Sequence, residues 1–304
     1  MRLCYNKNMK IILTIKNYFG KNVAFVTDNL KIFLLAEILE LTKSGQIDGV
    51  YVVKTSASSY LGSKKILTKN LQLDSISVGS DDIISFINNN EISGSTPKLV
   101  AYIALRNKSL SEGDIPIIRP VENNLYASTA IVKEKLLSVK EIIYESAMHF
   151  HLDPFQLGAI LIDEIARMSP FEEIIDRIGV ENFGADTSVG LAQIKIDTAN
   201  NIIKKKLYNP NPSDQKLPIK RLNRETRVYL YNYLIQLKHN IFFEGAILVD
   251  LINNWKEFID LKNHFDILAS LYSMYKPPRV NPQPNVRGNQ ITGEFYNLAK
   301  TWLQ

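Results

Sequence analysis

The first 120 residues consist of short apolar runs separated by turn-forming residues. An apolar stretch of helical length at residues 30–45 ends at a glycine, and Asp28 or Asn29 can cap its start. A shorter helix is expected at residues 81–90. Runs rich in β-branched and aromatic residues, which are typical of strands, occupy residues 9–15, 22–27, 49–55 and 98–105. This pattern predicts a small α/β module over residues 1–120.

Residues 106–124 are rich in Gly, Pro, Ser and charged side chains, which marks a domain boundary. Beyond this segment the apolar positions recur with helical periodicity. The pattern predicts helices at residues 129–150, 154–168, 170–178, 197–207, 221–240, 243–260, 264–275 and 290–303. We therefore expect an α+β protein in which the small α/β module is followed by a mostly helical domain over residues 125–304.

The helix predicted at residues 154–168 places a carboxylate on an apolar face. Asp153 is a suitable N-cap and Pro154 suits the first turn. Glu164 falls inside the stripe formed by Leu157, Ile160, Leu161, Ile165 and Met168. Asp163 falls to one side, where it can pair with Arg167. A glutamate on an apolar face is unfavourable unless it is paired, protonated or at the wall of a cleft. Because desolvation raises the pKa of a carboxyl group, Glu164 is a candidate general acid. The alternatives are a core-edge glutamate in a salt bridge and a helix face that reaches water.

A second unusual stretch, TSVGLAQIKIDTA at residues 187–199, sets the amide of Gln193 among apolar neighbours. A helix carrying a buried glutamate, then a loop, then an S-x-G-L-x-Q segment followed by T-A resembles the lysozyme-like superfamily. The resemblance is closest to the branch of soluble lytic transglycosylases and goose-type lysozymes, and it covers roughly residues 150–303. It implies a lysozyme-like fold for the helical domain, cleavage of peptidoglycan glycan strands, and the role of general acid for Glu164.

The resemblance also implies substrate-binding residues. Ser188 and Gln193 would line the sugar cleft, and each can both donate and accept hydrogen bonds to sugar hydroxyls and amides. Tyr272 matches the tyrosine of a Tyr-Asn motif on a later helix of the family. The chain departs from the family pattern at Ser273, which replaces that asparagine, and at Ile165, where transglycosylases usually have serine.

Glycoside cleavage normally uses two carboxyl groups, so a second one is needed. Asp186, on the loop just before the stretch at residues 187–199, is the closest candidate, although ordinary turn chemistry also explains an aspartate there. If Asp186 is not used, the resemblance implies that the N-acetyl group of the sugar assists instead. The 6-hydroxyl of muramic acid would then attack and leave an anhydro product. The sequence leaves hydrolysis (a muramidase) and this transglycosylase route open.

Composition and motifs limit the compartments in which the protein is expected to act and the cofactors it is expected to use. Hydrophobic residues make up 45% and charged residues 22%, which is ordinary for a globular protein. Cys4 is the single cysteine, so no internal disulfide is expected. No signal peptide or membrane-spanning run is recognisable, and no membrane insertion is expected. We expect synthesis in the cytoplasm and action at the cell wall or periplasm after delivery, as an antibacterial toxin or a phage-associated lysin. No cofactor is expected, and no metal site, because nothing completes a ligand set around His149 and His151.

The net charge of +5 is concentrated in residues 201–240, which hold nine Lys/Arg against two acidic residues, a local charge of +7. A basic face can attract an acidic polymer such as cell wall, or nucleic acid. Peptidoglycan glycan strands are the expected partner, with a delivery machinery or an inhibitor protein as further partners and the N-terminal module as a candidate adaptor. Two alternatives remain open: a catalytically inactive glycan-binding protein, and a nucleic-acid-binding protein that uses this basic segment.

Overall fold

The computed structural model divides the chain into two compact units, Met1–Ser109 and Leu110–Gln304. Its secondary structure confirms the predicted α+β class. The helix predicted at residues 81–90, the strand at 98–105 and most of the helix at 170–178 lie outside the described residues. The structure describes residues 8–16, 21–29, 31–55, 59–63, 73–78, 116–122, 127–168, 176–177, 179–274 and 280–304.

The first unit is built around a mixed sheet. Strand β1 (Met9–Lys16) is antiparallel to β2 (Asn22–Thr27) and parallel to both β4 (Ile47–Asp48) and β7 (Ser77–Val78). Strand β3 (Ile32–Leu34) extends the sheet by pairing with β2. The alternating residues Ile11, Leu13 and Ile15 of β1 are buried, and Thr14 between them is buried as well, with its hydroxyl donating to the carbonyl of Leu73.

A separate strand pair and a 3₁₀-helix also belong to this unit. Strands β5 (Val50–Lys54) and β6 (Ser59–Ser63) form a separate antiparallel pair. A 3₁₀-helix, Leu73–Ile76, precedes β7. The apolar core under these elements contains Ile11, Phe25, Ile38, Leu39, Ile47, Val50, Leu61 and Leu73.

The helix predicted at residues 30–45 is shorter than expected. Helix α1 covers Leu35–Lys43, because the three residues before it form β3 and pair with β2. Helical length in an apolar run does not separate a helix from a strand that leads directly into one. The predicted stop at Gly45 is present, and Gly45 has the left-handed φ of 73° that glycine adopts without strain.

The second unit is mostly helical. Short strands β8 (Ile117–Ile118) and β9 (Ala127–Ser128) pair with each other, and β10 (Ser188–Val189) pairs with β11 (Ile194–Lys195). Two segments with π-helical hydrogen bonding cover Gly179–Phe183 and Ile291–Phe295. The α-helices are α2 (Thr129–Ser138), α3 (Lys140–Phe150), α4 (Pro154–Arg167), α5 (Ile196–Lys204), α6 (Arg224–Leu234), α7 (Leu237–Trp255), α8 (Phe265–Ser273), α9 (Val286–Gln290) and α10 (Tyr296–Leu303).

Several helix boundaries differ from those predicted. The helix expected at residues 129–150 is divided at Val139, which is fully buried and has a φ of −119°. The helix expected at residues 221–240 ends at Leu234, and the next helix begins at Leu237 instead of residue 243, so Asn240 lies inside α7. Asparagine disfavours helix interiors because its side chain competes for the backbone. Here that side chain instead bonds a neighbouring hairpin, and tertiary contacts override the local preference.

Candidate active site

Helix α4 lies at the centre of the second unit. Asp153 caps it by accepting a hydrogen bond of 2.8 Å from the backbone N–H of Phe155, as predicted. Every residue from Leu157 to Ala166 is buried. A helix buried on all sides brings its polar residues into the core along with its apolar stripe. The carboxylates of α4 therefore need partners inside the protein.

Asp163 and Glu164 share those partners. Their side chains are 0% and 11% exposed, so Asp163 is more deeply buried than its position beside the apolar stripe predicted. The predicted ion pair with Arg167 is present at 2.9 Å. Arg287 places Nη2 2.6 Å from Oε1 of Glu164 and 2.5 Å from Oδ2 of Asp163. Two arginines thus meet two carboxylates, which offsets the desolvation of all four groups.

Arg287 reaches α4 because α9 packs very closely against α8. Asn285 caps α9 by accepting from the N–H of Gly288 at 2.7 Å, and its own N–H donates to Oγ of Ser270 at 2.8 Å. A methyl group at Gly288 would come within 1.9 Å of that same Oγ. Glycine at this position therefore lets the short helix lie against α8 with Arg287 directed at α4.

A further carboxyl group, that of Glu244 in α7, is fully buried in the same region. Among the described residues, neither of its oxygens has a hydrogen-bond partner. Burial, and then the negative charge of Glu164, raise the pKa of Glu244 well above its usual value. Burial and the nearby carboxylate, which is bound to arginine, thus favour the protonated form of Glu244.

The hairpin of β10 and β11 is fixed to α7 by Asn240. The Asn240 amide donates to the carbonyl of Val189 and accepts from the N–H of Ala192, both at 2.8 Å. Gly190 between them has φ 73°, and a methyl group there would come within 2.5 Å of the Asn240 amide. Glycine is therefore required both by the turn and by the close approach of α7.

Gln193 is half-buried and completes this turn. It adopts φ 49°, and its Nε2 donates to the carbonyl of Gly190 at 2.9 Å. Its apolar neighbours are buried, so the amide is held at the edge of the core, partly exposed. Ser188 is also half-buried, and its hydroxyl makes no hydrogen bond to another described residue. Both predicted sugar-binding side chains lie on one short hairpin with polar atoms near the surface.

Tyr272 of α8 links the hairpin to the buried acids. Its hydroxyl donates to the carbonyl of Ala192 at 2.8 Å. Burial raises the pKa of Tyr272, and the negative charges of Glu244 and Glu164 raise it further. Those charges act on the phenol only because the two glutamates lie close to it. Glu164, Tyr272 and the hairpin, which are far apart in sequence, are thus brought together.

Asp186 is hydrogen-bonded to the first turn of α5. Its Oδ1 accepts a 2.8 Å hydrogen bond from the N–H of Asp197 in the first turn of α5. Burial raises the pKa of Asp186, opposed by that hydrogen bond, and the charges acting on it are those of Asp197, Lys195 and Arg227. The carboxylate thus accepts from one of the N–H groups that lack an intrahelical partner at a helix start.

The sequence analysis missed Glu244, Asn240 and Arg287. The signal for Glu244 was available, because it lies three residues after Ile241 and four before Leu248 in an apolar helix, just as Glu164 lies in α4. Asn240 stood out only as a helix-disfavouring residue. Nothing local marks Arg287, which follows a Pro- and Asn-rich stretch, so its role became visible only in three dimensions.

Three of the nine cations of the basic segment, residues 201–240, form ion pairs with acidic residues from outside it. Side-chain ion pairs of 2.6–2.9 Å join Lys205 to Asp250, Arg227 to Asp197 and Lys238 to Glu145. Arg224 donates to the carbonyl of Glu181 at 2.8 Å. These contacts leave a basic surface of lower net charge than the count of lysines and arginines suggests.

Comparison with protein-family models, with curated proteins and with solved structures found no match for this chain. Fold and site together define an α+β protein whose helical unit carries a buried group of acids beside a polar hairpin. Within the described residues, no three His, Cys, Asp or Glu are close enough to hold a metal ion. None of the helices in that part of the chain has the length and apolar character needed to cross a membrane.

Proposed function

We propose that the helical unit is a lysozyme-like enzyme that cleaves peptidoglycan glycan strands, with Glu164 as the general acid. The observation that carries the proposal is the convergence of the three segments behind the resemblance. Tyr272 bonds the hairpin at Ala192 and lies within the field of Glu164. A buried acid next to half-buried amide and hydroxyl groups suits protonation of a glycosidic oxygen while the sugar is held in place.

Cleavage of a glycosidic bond at this site has two requirements, a proton donor and groups that hold the sugar. Glu164 delivers a proton to the leaving oxygen, so its carboxyl group has to be released from Arg287 and protonated when a glycan is bound. Gln193 and Ser188 hold the sugar amides and hydroxyls from the hairpin. The cationic sugar is then captured either by water or by its own 6-hydroxyl group.

Purified full-length protein incubated with isolated cell walls tests this proposal. We expect release of soluble glycan fragments, and loss of about 10²-fold or more of the rate in Glu164→Gln, as for removal of a general acid. Glu225→Gln, an exposed position on α6, is the matched control and should retain full activity. Fragments with reducing ends identify a hydrolase, and anhydro ends identify a transglycosylase. Full activity of folded Glu164→Gln would remove Glu164 from the mechanism.

We also propose that the protein acts after delivery to the cell wall, as an antibacterial toxin or a phage-associated lysin, with the first unit as the adaptor for delivery or for an inhibitor protein. Expression directed to the periplasm of a bacterium should cause lysis, whereas cytoplasmic expression should not. Equal tolerance of both would contradict action at the wall.

The salt bridge of Arg287 favours a second candidate function, glycan binding without cleavage. An acid held as a carboxylate by arginine, at 2.6 Å, is not ready to donate a proton. This candidate predicts that the protein sediments with cell walls while no fragments are released, and that Glu164→Gln binds as well as the wild type.

A further inference from the structure

The Glu244 carboxyl group has no role in the mechanism given above, yet it is the most unusual polar group in the described residues. It is completely buried, and both its oxygens are without a hydrogen-bond partner among those residues. Buried polar groups in folded proteins almost always have a partner, and an exception calls for a physical reason. A structural role in α7 would be served better by an apolar side chain of similar volume.

The neighbourhood of Glu244 contains more carboxyl groups than cations. Arg167 and Arg287 meet Asp163 and Glu164, and each of these ion pairs has a contact distance of 2.5–2.9 Å. No described cation binds Glu244. When two carboxyl groups lie close together and only one arginine is available, they lose their protons one after the other as the pH rises. The proton that remains after the first step is shared by the pair and is not assigned to one residue.

The groups that act on Glu244 come from two neighbouring helices, Glu164 from α4 and Tyr272 from α8. At the following residue, Gly245, α3 contributes Ser146 and Phe150, which do not titrate in this range. The remaining titratable groups of α7 lie roughly 120° or more around its axis from Glu244. They are already engaged, in the contacts Lys238–Glu145, His239–Tyr208 and Asp250–Lys205.

We propose that Glu244 is the second carboxyl group of the site, a positioning residue that holds a proton beside Glu164 and passes it to Glu164 when a glycan is bound. This inference rests on the glycan-cleaving function proposed above. Glu244 thereby fills the place that Asp186, occupied at the start of α5, leaves open.

The steps balance as follows for one cleavage. Glycan binding releases Glu164 from Arg287, which frees its carboxylate to accept a hydrogen bond from the Glu244 carboxyl. The proton then moves along this new hydrogen bond from Glu244 to Glu164. Glu164 then gives that proton to the glycosidic oxygen as the bond between the anomeric carbon and this oxygen breaks. Both glutamates are now negative and stabilise the cationic sugar. The attacking hydroxyl, from water or from the sugar, loses its proton to the pair, which restores the starting state.

The pH dependence of cleavage by the full chain distinguishes this role from a structural one. In Glu244→Gln the pair has no proton at neutral pH, so cleavage should fall about 10²-fold at pH 7 and recover toward acid pH, where Glu164 is protonated directly. Glu244→Met, with an apolar side chain of similar size, should behave in the same way. Glu244→Asp keeps a titrating carboxyl group and should retain part of the activity at pH 7.

The outcomes separate this inference from the function on which it rests. An acid shift of the profile in Glu244→Gln and Glu244→Met, with partial rescue in Glu244→Asp, supports the role of Glu244. A wild-type profile in folded Glu244→Gln overturns that role and leaves Glu164 as the acid. A wild-type protein that releases no fragments at any pH overturns the proposed function, and this inference with it.

Discussion

Two groups of ion pairs in the helical unit use the same kinds of side chain in very different surroundings. Around α4, Arg287 joins Asp163 and Glu164, with side-chain exposures of 17%, 0% and 11%. On the outer face of α7, Lys238 pairs with Glu145, and their exposures are 59% and 50%. The contact distances are similar. Water screens the outer pair and leaves its members replaceable, whereas each member of the inner group depends on the others.

The densest cluster of charge in the sequence is therefore different from the charge that is most deeply involved in buried ion pairs. Residues 201–240 carry a local charge of +7, and three of their nine cations form ion pairs with acids from other parts of the chain. We expect the single Arg287 to contribute more to the free energy of unfolding, because it binds two carboxylates that are buried in the core.

Arg287→Met should have the largest effect on stability, because it removes the cation that joins Asp163 and Glu164. It leaves Asp163 with Arg167 alone and Glu164 without its arginine, so the free energy of unfolding should fall by about 3–5 kcal/mol. Lys238→Met is the matched control and should change it by less than about 1 kcal/mol. Denaturant unfolding of both variants measures the difference. Equal effects would mean that burial does not distinguish the two groups.

Glu244→Gln should remove a pH dependence of stability. Because burial raises the pKa of Glu244 above its value in the unfolded chain, its contribution is fully present at acid pH. That contribution is lost as the pH rises above about 4.3, by about 1.4 kcal/mol for each pH unit until the folded-state pKa is reached. Thermal unfolding of wild type and variant from pH 4 to pH 8 should therefore show the variant gaining relative stability with pH. Parallel curves would show that Glu244 is ionised in the folded protein.

Asp186→Asn should have the smallest effect. The amide oxygen can still accept from the N–H of Asp197, so stability should change by less than about 1 kcal/mol and cleavage of cell walls should stay within a few-fold of wild type. Parallel assays with Glu164→Gln compare the two carboxylates that the sequence offered. Loss of activity in Asp186→Asn, with the fold intact, would return Asp186 to the site as the second carboxylate.

The sequence predicted the helical framework of the second unit because that information is local. The cap at Asp153, the burial of the α4 stripe and the pair of Asp163 with Arg167 each follow from residues within one or two turns. Where the prediction failed, as for the start of α7, a distant partner was involved: Asn240 bonds the hairpin 48–51 residues earlier in the chain.

By itself, the sequence determined that Glu164 lies on the apolar stripe of a helix, since periodicity is a property of neighbouring residues. Only the tertiary structure decided which carboxyl groups meet. It brings Arg287 to Glu164 across 123 residues and, among the described residues, leaves Glu244 without a cation, while Asp186 accepts a hydrogen bond from the first turn of α5. The physical reason is that the charge state of a buried acid depends on the groups within a few ångströms, which the order of the chain does not specify.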